Sequence, residues 1–179
     1  MILLNSSALV QTTLAAVMVI GGVSAKNSSE QLPIENKGVL NNVGMGLFMG
    51  GWLLAAYVLS QNKINILQYA LPCMGVLISV MMMKEKKLMK KYLPFTIPES
   101  VTKYVVPGIF IASWIAIGYN VGDRFDGFMR YSGLIATALV VVSMMKVLPY
   151  QREHDNVDGP GSYMFAFAWA IIVFLNSNR

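Results

Sequence analysis

Charged side chains are scarce in this sequence. They make up 13% of its 179 residues, whereas a soluble globular domain usually carries about 25%. Hydrophobic residues account for 55% of the chain and the mean hydropathy is +0.55. Such a chain has too few polar groups to coat a water-facing surface. The composition therefore indicates a protein whose main solvent is lipid.

Cysteine and histidine are nearly absent as well. The single Cys73 excludes an internal disulfide, and the single His154 has no second histidine or cysteine nearby to complete a metal site. We find no glycine-rich phosphate loop, no paired catalytic carboxylates and no Ser/His/Asp arrangement. The sequence therefore predicts no catalytic site, no metal site and no cofactor, and we expect a protein that is not an enzyme.

Long apolar segments recur along the whole chain. About 20 apolar residues span the roughly 30 Å hydrocarbon core at about 1.5 Å per helical residue. Six segments qualify as spans: 8–25, 42–60, 64–83, 104–121, 131–149 and 161–176. The first is retained because its leader lacks the positive charge of a signal peptide. The predicted fold class is all-α: a polytopic membrane helical bundle of about six transmembrane helices, forming one membrane domain over residues 1–179.

No Asp, Glu, Lys or Arg falls inside these spans, except where a lysine marks a span end. Ionisable groups at bilayer depth are expensive and usually mark an ion or proton pathway. Their absence argues against ion-coupled transport. It leaves open a passive pore built from backbone and small residues.

The loops predict an orientation. The connections after spans one, three and five hold ten Lys and Arg residues, and the opposite side holds four. The positive-inside rule then places these long loops in the cytoplasm and both termini on the non-cytoplasmic side. The basic run is expected to contact anionic lipid headgroups through Lys84, Lys86, Lys87, Lys90 and Lys91.

A threefold repeat of aromatic residues is the most informative pattern in the sequence. Each of the three tryptophans follows a phenylalanine by four residues and precedes another aromatic residue by five. The three sets are Phe48, Trp52 and Tyr57; Phe110, Trp114 and Tyr119; and Phe165, Trp169 and Phe174. A Leu-Pro pair lies 15 or 16 residues upstream of each phenylalanine. The pattern predicts three tandem helical hairpins, at about 1–60, 61–122 and 123–179.

Helix geometry suggests what these residues do. Side chains four apart share a helix face, so each Phe–Trp pair forms one aromatic ridge, which we interpret as a packing surface rather than a ligand-binding box. Small residues spaced by four predict close helix contacts at Gly46 with Gly50 and at Gly108 with Ala112. The tyrosines near the outer boundary suit the membrane interface: Tyr57, Tyr69, Tyr119 and Tyr131.

One short motif resembles an enzyme signature. The segment Asp123-Arg124-Phe125-Asp126-Gly127 is similar to the start of the CDP-alcohol phosphotransferase motif, whose aspartates hold divalent metals in six-span membrane enzymes. The expected Ala-Arg step meets Arg130 and Tyr131, and span five has no aspartate. Without those carboxylates the metal cannot be held. We therefore interpret the segment as a polar turn with Asp and Arg at its ends.

Two functional hypotheses follow. The first is a multi-pass membrane protein with a non-catalytic structural or assembly role. Its partners would be the bilayer, anionic headgroups and other membrane subunits or further copies, with no nucleic acid. The Met- and Asn-rich make-up is similar to that of inner-membrane proteins of large DNA virus particles, which implies a virion membrane as one setting. The second is a small passive channel or carrier; the three-hairpin plan resembles the mitochondrial carriers, but their P-x-[DE]-x2-[KR] motif is missing.

Overall fold

The computed structural model describes residues 5–29, 33–61, 65–84, 98–145 and 160–178. Those residues form six α-helices, and no strand occurs among them. The helices are α1 (Ser6–Ser29), α2 (Ile34–Ser60), α3 (Leu67–Lys84), α4 (Val106–Gly122), α5 (Phe128–Met145) and α6 (Pro160–Ser177). The predicted all-α fold class is confirmed.

Three helical segments are long and apolar enough to cross a membrane: Ser6–Ser29, Lys37–Ser60 and Val101–Gly122. The other three helices are apolar but shorter, at Leu67–Met83, Phe128–Met144 and Gly161–Ser177. These lengths are consistent with an integral membrane protein. All six helices are free of charged residues over their central turns.

The helices pack in chain order and close into a ring. Each helix contacts the next, and α6 returns to contact α1. Neighbours such as α1 and α2 are antiparallel: Gly22 of α1 faces Phe48 of α2, whereas Val19, earlier in α1, faces Gly51, later in α2. The start of α1 and the end of α6 meet at one end of the bundle, where the Asn5 amide donates to the Ser177 carbonyl at 2.9 Å. We call this the terminal end, and the opposite end the loop end.

The outside of the ring is apolar. Every helix exposes large hydrophobic side chains, among them Val10 at 66%, Leu71 at 63% and Phe167 at 61% exposure. Water would penalise such a surface, and contiguous apolar patches of this extent are rare on soluble monomers. A lipid environment removes that penalty.

Prolines shape two of the helices. Pro107 has no N–H and crowds the carbonyl four residues before it, and the chain forms a π-helical turn at Val101–Val105 just ahead of α4. Pro33 immediately precedes α2, whose first residue is Ile34. The helix thus begins eight residues before the predicted span 42–60, and these first turns are less apolar than the span itself.

Close approaches between helices occur at glycines, but these glycines differ from the pairs that the sequence predicted. A Cβ on Gly118 would overlap the Gly133 carbonyl oxygen of α5, and one on Gly22 would lie 2.6 Å from the Phe48 nitrogen. Gly46 and Gly108, in contrast, have nothing within 4 Å of their Cβ positions.

The second member of each predicted pair behaves differently from its partner. Ala112 is exposed, whereas Gly50 lies against the end of the Met18 side chain. The close contacts within this chain thus use glycines on the inward helix faces. Gly46, Gly108 and Ala112 face outward because helix rotation, which four-residue spacing alone cannot fix, turns them away from the neighbouring helices.

Several predicted features lie outside the described residues. They are the basic residues Lys86, Lys87, Lys90 and Lys91, the His154 loop and the end of the predicted span 131–149. Lys84 is the last residue of α3, and its side chain is not described.

Candidate functional site

The three tryptophans meet inside the ring. Trp52 of α2, Trp114 of α4 and Trp169 of α6 are each only 1% exposed. The ring centroids are 5.3 Å apart for Trp52–Trp114 and Trp52–Trp169, and 5.9 Å apart for Trp114–Trp169. Two of the contacts are edge-to-face and the third is tilted, which are favoured arrangements for aromatic quadrupoles. We call this cluster the tryptophan triad.

The triad lies at one level of the bundle. Each tryptophan is eight residues before the last residue of its helix, Ser60, Gly122 or Ser177. At 1.5 Å per residue this is about 12 Å from the terminal end. Equal distances on three helices that run in the same direction bring the indoles side by side.

The phenylalanines form a second level about one helical turn deeper. Phe48, Phe110 and Phe165 are all buried. Phe48 lies 6.4 Å from Trp52 on its own helix, whereas Phe165 lies 6.4 Å from Trp114 on a different helix. The Phe–Trp ridges of the sequence pattern thus face the interior.

The third aromatic residue of each set points the other way. Tyr57, Tyr119 and Phe174 are 61%, 48% and 47% exposed. Five residues correspond to about 500° of helix rotation, or roughly 140° away from the tryptophan. These rings therefore face the surroundings of the bundle, as does Tyr131, whereas Tyr69 is buried.

The indole nitrogens of the triad have no hydrogen-bond acceptor in the described part of the chain: Nε1 of Trp52, Trp114 and Trp169 is buried in each case. The rings are in mutual contact, so the cluster fills the middle of the bundle at its level. The triad is therefore an apolar cluster that contains three polar N–H groups. It has no side chain that could act as a general acid or base.

Nearer the terminal end, a pair of amides joins α3 to α4. Pro72 lies inside α3 and leaves the Gln68 carbonyl without its usual helical donor. The Asn120 side-chain nitrogen donates to that carbonyl at 2.8 Å, and the Gln68 side-chain nitrogen donates to the Asn120 Oδ1 at 2.9 Å. The Tyr69 hydroxyl also donates to the Asn120 carbonyl at 3.2 Å. Sequence reasoning missed this pair, although Pro72 in an apolar segment was a usable signal.

Two further buried hydrogen bonds join neighbouring helices. The Asn176 side-chain nitrogen of α6 donates to the Thr12 hydroxyl of α1 at 2.7 Å. The Thr137 hydroxyl of α5 lies 2.8 Å from the Trp114 carbonyl of α4, to which it donates. The helices are therefore held in register by polar contacts as well as by packing.

The connection between α4 and α5 holds two arginines in different surroundings. Arg130 pairs with Asp123 at 2.8 Å, and both side chains are about half exposed. This is the polar turn that the sequence predicted, with Gly127 at a φ of 61°. Arg124 instead folds back over the Tyr69 ring, with its guanidinium carbon 5.3 Å from the ring centroid. All three guanidinium nitrogens are buried and have no acceptor among the described residues.

Within the described ranges, no three His, Cys, Asp or Glu side chains come together as a metal-binding group. Comparison with protein-family models, with curated proteins and with solved structures found no match to this chain. Over the described residues, the fold is thus all-helical and has three helices long and apolar enough to cross a membrane. Any functional assignment depends on the chain's own geometry.

Proposed function

We propose that this chain is a multi-pass integral membrane protein with a non-catalytic structural or assembly role. The tryptophan triad is the observation that carries the proposal. It fills the middle of the bundle with interlocked rings, while the outer faces of all six helices expose apolar side chains. An interior filled by aromatic rings at the triad level and an apolar exterior favour a scaffold over a channel or an enzyme.

We further propose six spans arranged as three hairpin repeats. The equal position of the tryptophans in α2, α4 and α6 supports the repeat, as does the buried Phe level beside them. The 18 residues of α3, α5 and α6 correspond to about 27 Å, which approaches the roughly 30 Å hydrocarbon core.

The proposed orientation puts the terminal end on the non-cytoplasmic side and the loop end in the cytoplasm, following the lysine bias of the loops. The basic run that begins at Lys84 would then lie against anionic headgroups. Proposed protein partners are other membrane subunits or further copies of this chain, and a virus-particle inner membrane is one setting for them.

The alternative of a small passive channel has less support. A pore along the bundle axis needs a continuous polar path, but three indoles in contact occupy that axis at the triad level. Conduction would require the rings to separate.

Solute flux distinguishes the two proposals. The full chain is reconstituted into vesicles, and entry of water, glycerol and small ions is measured by light scattering and dye response, with protein-free vesicles as the control. A scaffold gives rates equal to the control. A flux proportional to the amount of protein, and increased in Trp114→Ala, would instead support the channel.

A further inference from the structure

We infer that Arg124 forms an oxyanion-binding site at the terminal end of the bundle, which takes the phosphate group of a lipid headgroup or a free phosphate. The inference does not depend on the structural role proposed above. It rests on the surroundings of one side chain.

Among the described residues, the guanidinium of Arg124 has no counter-ion. Its Nε, Nη1 and Nη2 atoms are all inaccessible and donate to no oxygen of that part of the chain. A buried charge is strongly destabilising when it is unpaired. The Tyr69 ring 5.3 Å away provides a cation–π contact, which recovers part of the lost hydration but satisfies none of the five N–H donors.

The nearest carboxylate along the chain is already engaged. Asp123 is bound to Arg130 at 2.8 Å on the surface of the connection, and Asp126 is exposed. The two arginines, six residues apart, thus differ. Arg130 has an acidic partner from the chain, whereas the buried N–H donors of Arg124 have no acceptor among the described residues. An external anion supplies that acceptor.

Position and geometry favour phosphate among oxyanions. Arg124 is the second residue after the end of α4, where an apolar segment gives way to a polar connection, and phospholipid phosphates lie at that depth of a bilayer. The planar guanidinium matches two phosphate oxygens at once. When an anion binds, its charged oxygens replace the apolar groups that cover the guanidinium nitrogens.

Thermal unfolding of the full chain in a phosphate-free, uncharged detergent tests the site. The two probes are inorganic phosphate, titrated against chloride at constant ionic strength, and dihexanoyl phosphatidic acid, with dihexanoylglycerol as its uncharged match. We expect phosphatidic acid to raise the Tm of the wild type and dihexanoylglycerol to leave it unchanged. A response to inorganic phosphate as well identifies a site open to the free ion; a response to phosphatidic acid alone identifies a headgroup site.

Three variants make the test specific. Arg124→Gln should lose the Tm shift, and Arg130→Gln, which removes the other arginine of the same connection, should keep it. Arg124→Lys, which keeps the charge but not the fork, should need about tenfold more ligand or higher for the same shift. This last comparison keeps a positive charge at residue 124 in both proteins and so tests the fork alone.

The melting temperatures of the ligand-free proteins provide an independent test. Because an unpaired buried charge is unfavourable, Arg124→Gln should melt higher than the wild type when no anion is present. A purely structural arginine predicts the reverse order. The inference is overturned by that reverse order, by a wild type insensitive to both probes, or by equal shifts in the wild type and Arg124→Gln.

Discussion

At the residue scale, the triad shows how three side chains distant in sequence come to define the interior. Trp52, Trp114 and Trp169 are among the largest fully buried side chains, and each contacts the other two. In the proposed lipid setting, apolar side chains gain little from leaving lipid, so packing between helices, rather than exclusion from water, has to stabilise such a bundle. Large interlocking rings provide much of that contact area.

Replacing one indole should therefore be severe. Trp114→Ala is expected to destabilise the bundle by about 3–5 kcal/mol, since it opens a cavity between two other rings. Ile115→Ala is the matched control: Ile115 is the next residue along α4, is 47% exposed and should change stability by less than about 1 kcal/mol. Equilibrium unfolding in mixed micelles measures both, and equal losses for the two variants would contradict the buried triad.

The buried Phe–Trp pairs could be predicted from the sequence, whereas the position of the Arg124 side chain could not. The spacing of four put Phe48 and Trp52 on one face, and both are buried. Arg124 was counted only as a loop charge, because hydropathy cannot show that a side chain folds back over Tyr69. The direction of a long flexible side chain depends on the tertiary surroundings, which single-sequence patterns do not contain.

At the scale of the helix, irregularities in the backbone are matched by side chains of a neighbour. Pro72 removes a donor from α3, and Asn120 of α4 replaces it. The lengths of the hydrophobic segments predicted that these helices form. The pairing of Asn120 with α3 could be predicted only from the register between the two helices, which a single sequence does not give. The predicted contacts at Gly46 and Gly108 failed for the same reason, since rotation about the helix axis decides which glycines face a neighbour.

A double-mutant cycle tests the link between Pro72 and Asn120. Asn120→Ala should destabilise the wild type by about 1–3 kcal/mol, because it leaves the Gln68 carbonyl buried without a donor. In a Pro72→Ala background residue 72 regains its N–H, so the same change should be less destabilising, by about 1 kcal/mol. Asn42→Ala, at an exposed position of α2, serves as the neutral control. Strict additivity of the two changes would show that the proline and the amide are not coupled.

At the scale of the whole molecule, the closed ring of six helices brings the start of α1 and the end of α6 together and gives the bundle an apolar outside. The apolar make-up of the sequence was sufficient to predict the helices, and three of them are long and apolar enough to cross a membrane. It could not predict ring closure, because the contact of α1 with α6 joins residues far apart in sequence, such as Thr12 and Asn176. Closure brings the three tryptophan-bearing helices around one axis.

Quenching of tryptophan fluorescence by brominated lipid tests the central claim, a lipid-embedded bundle with its indoles inside, most directly. The full chain and its Ile115→Trp variant are compared in vesicles with and without brominated acyl chains. We expect the native emission to be almost unaffected, and the added indole, on the outward face of α4, to be strongly quenched. Strong quenching of the native indoles, or no quenching of the indole at position 115, would contradict the account.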